Sequence, residues 1–200
     1  LIAVHLYGFP CRIKEIKKIC EKYNIILIED AAEALGSFFK KRHLGTFGDA
    51  GILSFNGNKP ITCGSGGAIL TNDKKMSIRL KHLSTHAKVP SVVDHVHDEI
   101  GYNYRMNNLS AAVGCAQIEN IKRILKAKRA NFKWYKQLFN KINYLKILEE
   151  PKNSKTNYWL ITAVLKNLKL KNILLKNLKS KGYGLRTTWR PLHSLKIFKS

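Results

Sequence analysis

The first thirty residues, LIAVHLYGFPCRIKEIKKICEKYNIILIED (residues 1–30), predict two buried strands joined by a helix. Residues 1–6 and 25–28 are almost continuously apolar, as strands are when a parallel sheet is covered on both faces. Between these runs, apolar residues recur at helical spacing with lysines among them: Ile13, Ile16, Ile19 and Cys20. Because a crossover helix is the short connection between parallel strands, this segment favours an α/β fold with a mostly parallel central sheet.

Two more strands are predicted on either side of a loop that is rich in glycine and small polar residues. The strands cover residues 50–55 and 68–71, and the stretch SFNGNKPITCGSGG (residues 54–67) supplies the loop. An Asn72-Asp73 turn follows and caps a predicted helix over residues 74–84. A loop of this composition lets a bound molecule approach the backbone closely.

The second half of the chain is predicted to contain one long helix and the start of a smaller α/β unit. Helical spacing of apolar residues runs from Leu109 to Phe139, after an asparagine N-cap at Asn108. Residues 149–154 then read as a linker. Beyond the linker, a strand near residues 158–165 and a helix near residues 171–181 are expected.

The composition indicates a globular protein of the cytoplasm. The chain has 200 residues, 44% of them apolar, and its 36 Lys+Arg against 13 Asp+Glu give a formal charge of +23. Most of the excess is lysine spread over residues 122–181, which favours a solvated basic face over a specific nucleic-acid site. The four cysteines lack C-x-x-C spacing, so we expect no disulfides. Neither a signal peptide nor a membrane-spanning run is recognisable, so no membrane insertion is expected.

Asp30 and Lys59 occupy positions that suggest chemistry. Asp30 directly follows the most apolar strand, where open α/β sheets bind ligands, although a helix N-cap explains it equally well. Lys59 lies in the glycine-rich loop, where it could contact a phosphate, form a Schiff base or simply face solvent. The spacing of a P-loop is absent, and Ser54 could hold a cofactor phosphate beside a Schiff base.

Four blocks of sequence follow one another in the first 120 residues: VHLYG (4–8), IEDAAEALGS (28–37), FGDAGILSFNGNKPITCGSGGAILTND (47–73) and EIGYNYRMNNLSAAVGCAQIE (99–119). Together they closely resemble the DegT/DnrJ/EryC1/StrS family of sugar aminotransferases, which depend on pyridoxal 5'-phosphate. The resemblance implies a fold-type I transferase. Residues 1–125 would form part of the cofactor-binding large domain, residues 126–150 a long connecting helix, and residues 151–200 the start of a small domain.

The resemblance also implies roles for individual residues. Lys59 would be the catalytic residue, carrying the cofactor as a Schiff base and then moving a proton. Asp30 would pair with the pyridine nitrogen, because a carboxylate there keeps the nitrogen protonated and the ring electron-accepting. Glu33 would lie near the ring hydroxyl, and Ser54 would bind the cofactor phosphate. Asn103 would reach the phosphate of a neighbouring subunit's cofactor, which implies a homodimer with shared active sites.

The implied reaction moves an amino group from glutamate to C4 of a nucleotide-linked 4-keto-6-deoxy sugar. A UDP-linked N-acetyl sugar is favoured, with a GDP-linked sugar of the perosamine type as the alternative. Arg190 and His193 resemble a family segment near the sugar nucleotide, although a loop anchored by a proline explains them almost as well. His5 ends a strand near the site and is a candidate either for substrate contact or for packing.

Two other functions stay open at this point. A basic nucleic-acid-binding protein is one, and an inactive truncated product is the other, since the chain starts inside an apolar run and stops without a closing element. A metal site could be drawn from the histidines of residues 82–97, but no glutamate accompanies the first pair as in H-E-x-x-H. We therefore expect no metal.

Overall fold

The computed structural model describes residues 1–91 and 93–198. Its strands, in chain order, are β1 (Ile2–Val4), β2 (Ile28–Asp30), β3 (Phe38–Phe39), β4 (Arg42–His43), β5 (Ala50–Ser54), β6 (Gly67–Leu70), β7 (Leu145–Ile147), β8 (Ser154–Lys155) and β9 (Ala163–Leu165). Its α-helices are α1 (Ile13–Lys22), α2 (Lys74–Ser84), α3 (Asn108–Glu119), α4 (Ile121–Phe139) and α5 (Leu168–Ser180).

The central sheet has the order β1-β2-β5-β6. The first three strands are parallel and β6 runs antiparallel to β5, which confirms the predicted mostly parallel α/β sheet. Helix α1 makes the crossover from β1 to β2, as its spacing predicts. Helix α2 has the predicted bounds, and the Asp73 carboxylate caps it by accepting hydrogen bonds from the backbone N–H groups of Lys75 and Met76.

The helix predicted as continuous up to Phe139 is in fact two helices, and this part of the prediction was wrong. Helix α3 is capped by Asn107, not Asn108, through a hydrogen bond from the backbone N–H of Ser110. It ends at Glu119. The next residue, Asn120, leaves helical geometry, and its side-chain amide donates to the carbonyl of Ala116. Asparagine competes in this way for backbone groups, so apolar spacing can continue across a helix break.

The buried side chain of Glu29 anchors the loop of residues 45–48, which leads into β5. The two carboxylate oxygens of Glu29 accept hydrogen bonds from His5 Nε2 and from the backbone N–H groups of Gly45, Phe47 and Gly48. Burial alone would raise the pKa of Glu29, but the hydrogen bonds from His5 and from the backbone outweigh it and leave that pKa lowered. Glu29 therefore acts as an ionised anchor inside the core.

The segment after residue 149, predicted as a linker, packs against the first half of the chain. Strand β8 pairs antiparallel with β3. Arg129 forms a bidentate ion pair with Glu150 at 2.8 and 2.9 Å and also donates to the carbonyl of Thr156. Residues 150–159 therefore lie against α4 and the first half of the chain. The connecting helix expected over residues 126–150 ends at Phe139 and is followed by β7, while the division into domains stays a prediction.

All four cysteines are free. Among the residues that the structure describes, no helix is both long and apolar enough to span a membrane. His82 lies beside Asp98 and Glu99, with one potential ligand atom from each within 4.8 Å of the others. Arg79 makes an ion pair with Glu99 there, so the group forms a cluster of opposite charges.

Candidate active site

Lys59 lies at the carboxyl edge of the central sheet, in the loop that joins β5 to β6. The loop closes on itself because the backbone N–H of Phe55 donates to the carbonyl of Gly66 at 2.9 Å. Directly after Lys59, Pro60 and Ile61 are buried, and Ile61 belongs to the main core. The Lys59 side chain is 11% exposed. A primary amine is thus held at the sheet edge with most of its surface covered.

Glu33 is the nearest acidic partner of this amine. It belongs to the turns that follow β2, and its Oε1 lies 3.7 Å from Lys59 Nζ. Its Oε2 accepts a 2.6 Å hydrogen bond from the backbone N–H of Tyr7. Burial raises the pKa of Glu33 and the nearby Asp30 charge adds to this effect, while the Tyr7 N–H and Lys59 oppose it. The raised pKa gives this carboxyl a greater tendency to hold a proton beside the amine.

Asp30 and Ser54 lie at the same edge of the sheet. Asp30 ends β2 and pairs in register with Ile52 of β5, so that Ser54 ends β5 two residues further on. One carboxylate oxygen of Asp30 accepts a hydrogen bond from the backbone N–H of Ala32, the local cap that the sequence also suggested. Within residues 1–91 and 93–198, no protein donor reaches the other oxygen, and Asp30 is only partly buried. An acceptor and a hydroxyl therefore remain available for a ligand.

Three aromatic residues also line the site, and no sequence pattern predicted them there. The Trp159 ring lies under the Lys59 amine, with Nζ 4.3 Å from the ring centroid, and Trp159 is 6% exposed. Its ring centroid is 6.2 Å from those of Tyr7 and Trp189, and the Tyr7 and Trp189 centroids are 5.0 Å apart. The only sequence signal was position: Tyr7 lies in the first block that resembles the family, and Trp189 precedes Arg190. Contacts between aromatic rings that are distant in sequence leave no local pattern.

The remaining predicted residues lie away from the amine. His5 is fully buried; the Cys11 N–H donates to its Nδ1 and its Nε2 donates to Glu29, which fits the packed interpretation and leaves no surface for a substrate. Asn103 is exposed and pairs with Thr85 in an isolated bridge. Arg190 and His193 are exposed, next to the turn that follows Trp189. In the described part of the chain none of these residues contacts Lys59.

The donor set fits pyridoxal 5'-phosphate. A covered amine suits bonding to an aldehyde carbon, a carboxylate with a free oxygen suits a pyridinium nitrogen, and a hydroxyl suits a phosphate. The three groups reside on one edge of one sheet, at the carboxyl ends of parallel strands, where such sheets bind ligands. The arrangement can therefore orient an aromatic aldehyde cofactor and exchange protons with its substrate.

Comparisons with known proteins are consistent with one another. The sequence model of the DegT/DnrJ/EryC1/StrS aminotransferase family matches residues 1–200. GDP-perosamine synthase from Escherichia coli O157:H7 is 36% identical over 99% of this chain and 54% of its own length. UDP-4-amino-4,6-dideoxy-N-acetyl-beta-L-altrosamine transaminase from Campylobacter jejuni (strain 81-176) is 30% identical over 96% of this chain and 52% of its own length.

Solved structures show the same fold. The crystal structure of a DegT DnrJ EryC1 StrS aminotransferase from Brucella abortus aligns with a TM-score of 0.87 and 27% identity, covering 99% of this chain and 52% of that one. The chain thus spans about half the length of the curated relatives it matches. The residues described above are consequently about half of what those relatives contain.

Proposed function

Because the chain belongs to the DegT/DnrJ/EryC1/StrS aminotransferase family, we propose that the complete protein transfers an amino group from glutamate to a nucleotide-linked keto sugar. The observation that carries the proposal is the covered Lys59 amine, 3.7 Å from the Glu33 carboxylate at the carboxyl edge of the sheet. Lysine amines in such settings bond to aldehydes and then accept and return protons. Both residues belong to the four sequence blocks that resemble the family, Glu33 to the second block and Lys59 to the third.

In this proposal the Lys59 amine would hold the cofactor through its aldehyde carbon and, when free, would accept and return the proton of the substrate carbon. When bound, pyridoxal 5'-phosphate supplies an aromatic ring that accepts the electron pair left on the substrate carbon. Asp30, with an oxygen that the Ala32 N–H does not use, would hold the ring nitrogen and keep it protonated, and Ser54 at the end of β5 would donate its hydroxyl to the phosphate. Glu33 orients the free amine and can hold a proton beside it.

The proposed acceptor is C4 of a 4-keto-6-deoxy sugar, and both nucleotides are tested. The sequence blocks favour a UDP-linked N-acetyl sugar, whereas the relative named GDP-perosamine synthase is the more similar of the two, at 36% against 30% identity. Both relatives support the same class of acceptor, a nucleotide-linked sugar. Arg190 and His193 are proposed to contact the nucleotide sugar from the segment that follows Trp189.

We further propose a homodimer in the cytoplasm, where Asn103 contributes to the partner's cofactor phosphate. The exposure of Asn103, which pairs with Thr85 in an isolated bridge, supports a role outside its own subunit. Coexpression of a Lys59→Ala chain with an Asn103→Ala chain tests this directly. Mixed dimers should carry one intact site and regain activity that neither homodimer has, whereas no regain would contradict sharing.

The reaction itself is tested in the complete natural protein, incubated with pyridoxal 5'-phosphate, glutamate and a UDP- or GDP-linked 4-keto-6-deoxy sugar. The expected products are 2-oxoglutarate and an aminated sugar nucleotide, both measured by mass spectrometry, and Lys59→Ala should form them about 10²–10⁴-fold more slowly. If glutamate yields no 2-oxoglutarate with any 4-keto sugar nucleotide while the protein is folded and cofactor is present, the proposal is wrong.

A further inference from the structure

We propose that Trp159 is a positioning residue that sets the place of the Lys59 amine, a role that rests on the proposed function. Trp159 contacts the lysine segment at two points. The face of its ring lies 4.3 Å from Lys59 Nζ, and its Nε1–H donates a 2.6 Å hydrogen bond to the carbonyl of Asn58. One rigid side chain thus holds both the amine and the backbone just before it.

The Lys59 loop needs such a support on one side only. After Lys59, buried Pro60 and Ile61 tie the backbone to the core. Before it, residues 56–58 are exposed and include a glycine, so little packing restrains them. A lysine side chain also has several freely rotating bonds, and ordering them costs entropy. The indole supplies the missing restraint, because a cation over an aromatic face is attracted to it in a covered site.

Trp159 is itself held firmly. Its backbone N–H donates to Asn157 Oδ1 at 2.9 Å, and its carbonyl accepts from Lys128 Nζ at 3.2 Å. The Asn157 side-chain amide donates to the carbonyls of Glu33 and Leu35, at 2.7 and 3.0 Å. Residues 157–159 therefore hold the Glu33 turn with one side chain and the Lys59 loop with another. In this proposal residues 157–159 thereby set the distance between the Glu33 carboxylate and the Lys59 amine.

The test uses the complete natural protein loaded with pyridoxal 5'-phosphate. Trp159→Leu removes the ring, and Trp159→Phe keeps a buried aromatic ring but removes the N–H donor. Trp134→Leu is the matched control, because this tryptophan is 57% exposed on α4 and packs against Tyr135, outside the site. We expect Trp159→Leu to lower kcat for the half-reaction with glutamate about tenfold, with Trp159→Phe intermediate. KM for glutamate should change less than about twofold, and the control should match the wild type.

A double-mutant cycle separates positioning of Lys59 from general damage. In a Lys59→Ala background, with methylamine supplied as a replacement base, Trp159→Leu should have no further effect on the rate, because its target is absent. A residue that merely supports the fold would slow both backgrounds equally.

The contact itself has a readout that does not depend on turnover. In cofactor-free protein containing lysine labelled with 13C at the ε carbon, the Lys59 signal, assigned by its loss in Lys59→Ala, should show the upfield shift of a group above an indole face. That shift should disappear in Trp159→Leu and persist in Trp134→Leu. An unshifted Lys59 signal in the wild type would overturn the proposal.

The outcomes separate this inference from the function beneath it. If the wild type is active but Trp159→Leu keeps its kcat, changes only KM or is equally slow in the Lys59→Ala background, the positioning role is wrong and the proposed function stands. If the wild type transfers no amino group from glutamate, the proposed function fails first and the role of Trp159 fails with it.

Discussion

Replacing Glu29 by glutamine should destabilise the fold severely, although the two side chains have nearly the same size. One carboxylate oxygen accepts from His5 Nε2 and the Gly45 N–H, and the other accepts from the N–H groups of Phe47 and Gly48. Whichever oxygen becomes an NH2 group, it faces two buried or partly buried N–H donors and can accept a hydrogen bond from neither. At about 1–3 kcal/mol for each unsatisfied buried donor, the cost is about 2–6 kcal/mol.

Urea unfolding at neutral pH measures this cost, as a lower midpoint with an unchanged m-value. Glu21→Gln is the matched control, because Glu21 is exposed on α1 and its 3.7 Å ion pair with Lys17 contributes at most about 1 kcal/mol. A loss below about 1 kcal/mol in Glu29→Gln would refute the view that this carboxylate anchors the residue 45–48 loop.

The pH dependence of the free energy of unfolding tests the same anchor independently. The pKa of Glu29 is lowered on folding from its ordinary value of 4.5, so the stability it contributes is present above that pH and is lost as the pH falls through the folded value. Glutamine does not titrate. The difference in unfolding free energy between wild type and Glu29→Gln should therefore narrow in acid, and a difference that stays constant or widens would contradict an ionised anchor.

Three further changes test the site and the sheet. Lys59→Ala should slow amino-group transfer about 10²–10⁴-fold and should abolish the cofactor that borohydride traps on the peptide containing residue 59, as measured by mass spectrometry. Full activity with cofactor trapped on another lysine would contradict the role of Lys59. Asp30→Asn should slow amino-group transfer about 10–10³-fold, because the lost carboxylate would lower the pKa of the cofactor's ring nitrogen by about 1–3 units. Unchanged steady-state rates would exclude the pairing of Asp30 with that nitrogen. Gly51→Ala should cost about 3 kcal/mol or more in urea unfolding, because its Cβ would lie 1.9 Å from the Gly45 carbonyl oxygen; Gly184→Ala, with open space around it, is the control, and equal stabilities would refute the close approach.

The elements that sequence patterns predicted well are those whose cause is local. Helix α2 and its Asp73 cap are specified by residues within a few positions of one another. Strands β3 and β8 have two residues each and exist because distant segments meet, so no periodicity marks them. The break at Asn120 escaped notice because the apolar spacing continues through it. For the site, the resemblance selected Lys59 and Glu33, whose side chains lie 3.7 Å apart, whereas Trp159 comes to lie against Lys59 only through tertiary structure.

The hydrogen bond from Trp159 to the backbone just before Lys59 also sets an order of events during synthesis. The lysine leaves the ribosome 100 residues ahead of the tryptophan, since 159 minus 59 is 100. At roughly 5–20 residues per second, the nascent chain carries this amine for about 5–20 seconds before its aromatic partner exists. The sheet edge can form early, but the contacts of Trp159 with Asn58 and Lys59 form only after the later segment has been made. In the proposed scheme, translation itself thus leaves the Lys59 amine without its aromatic support until the later segment has been made.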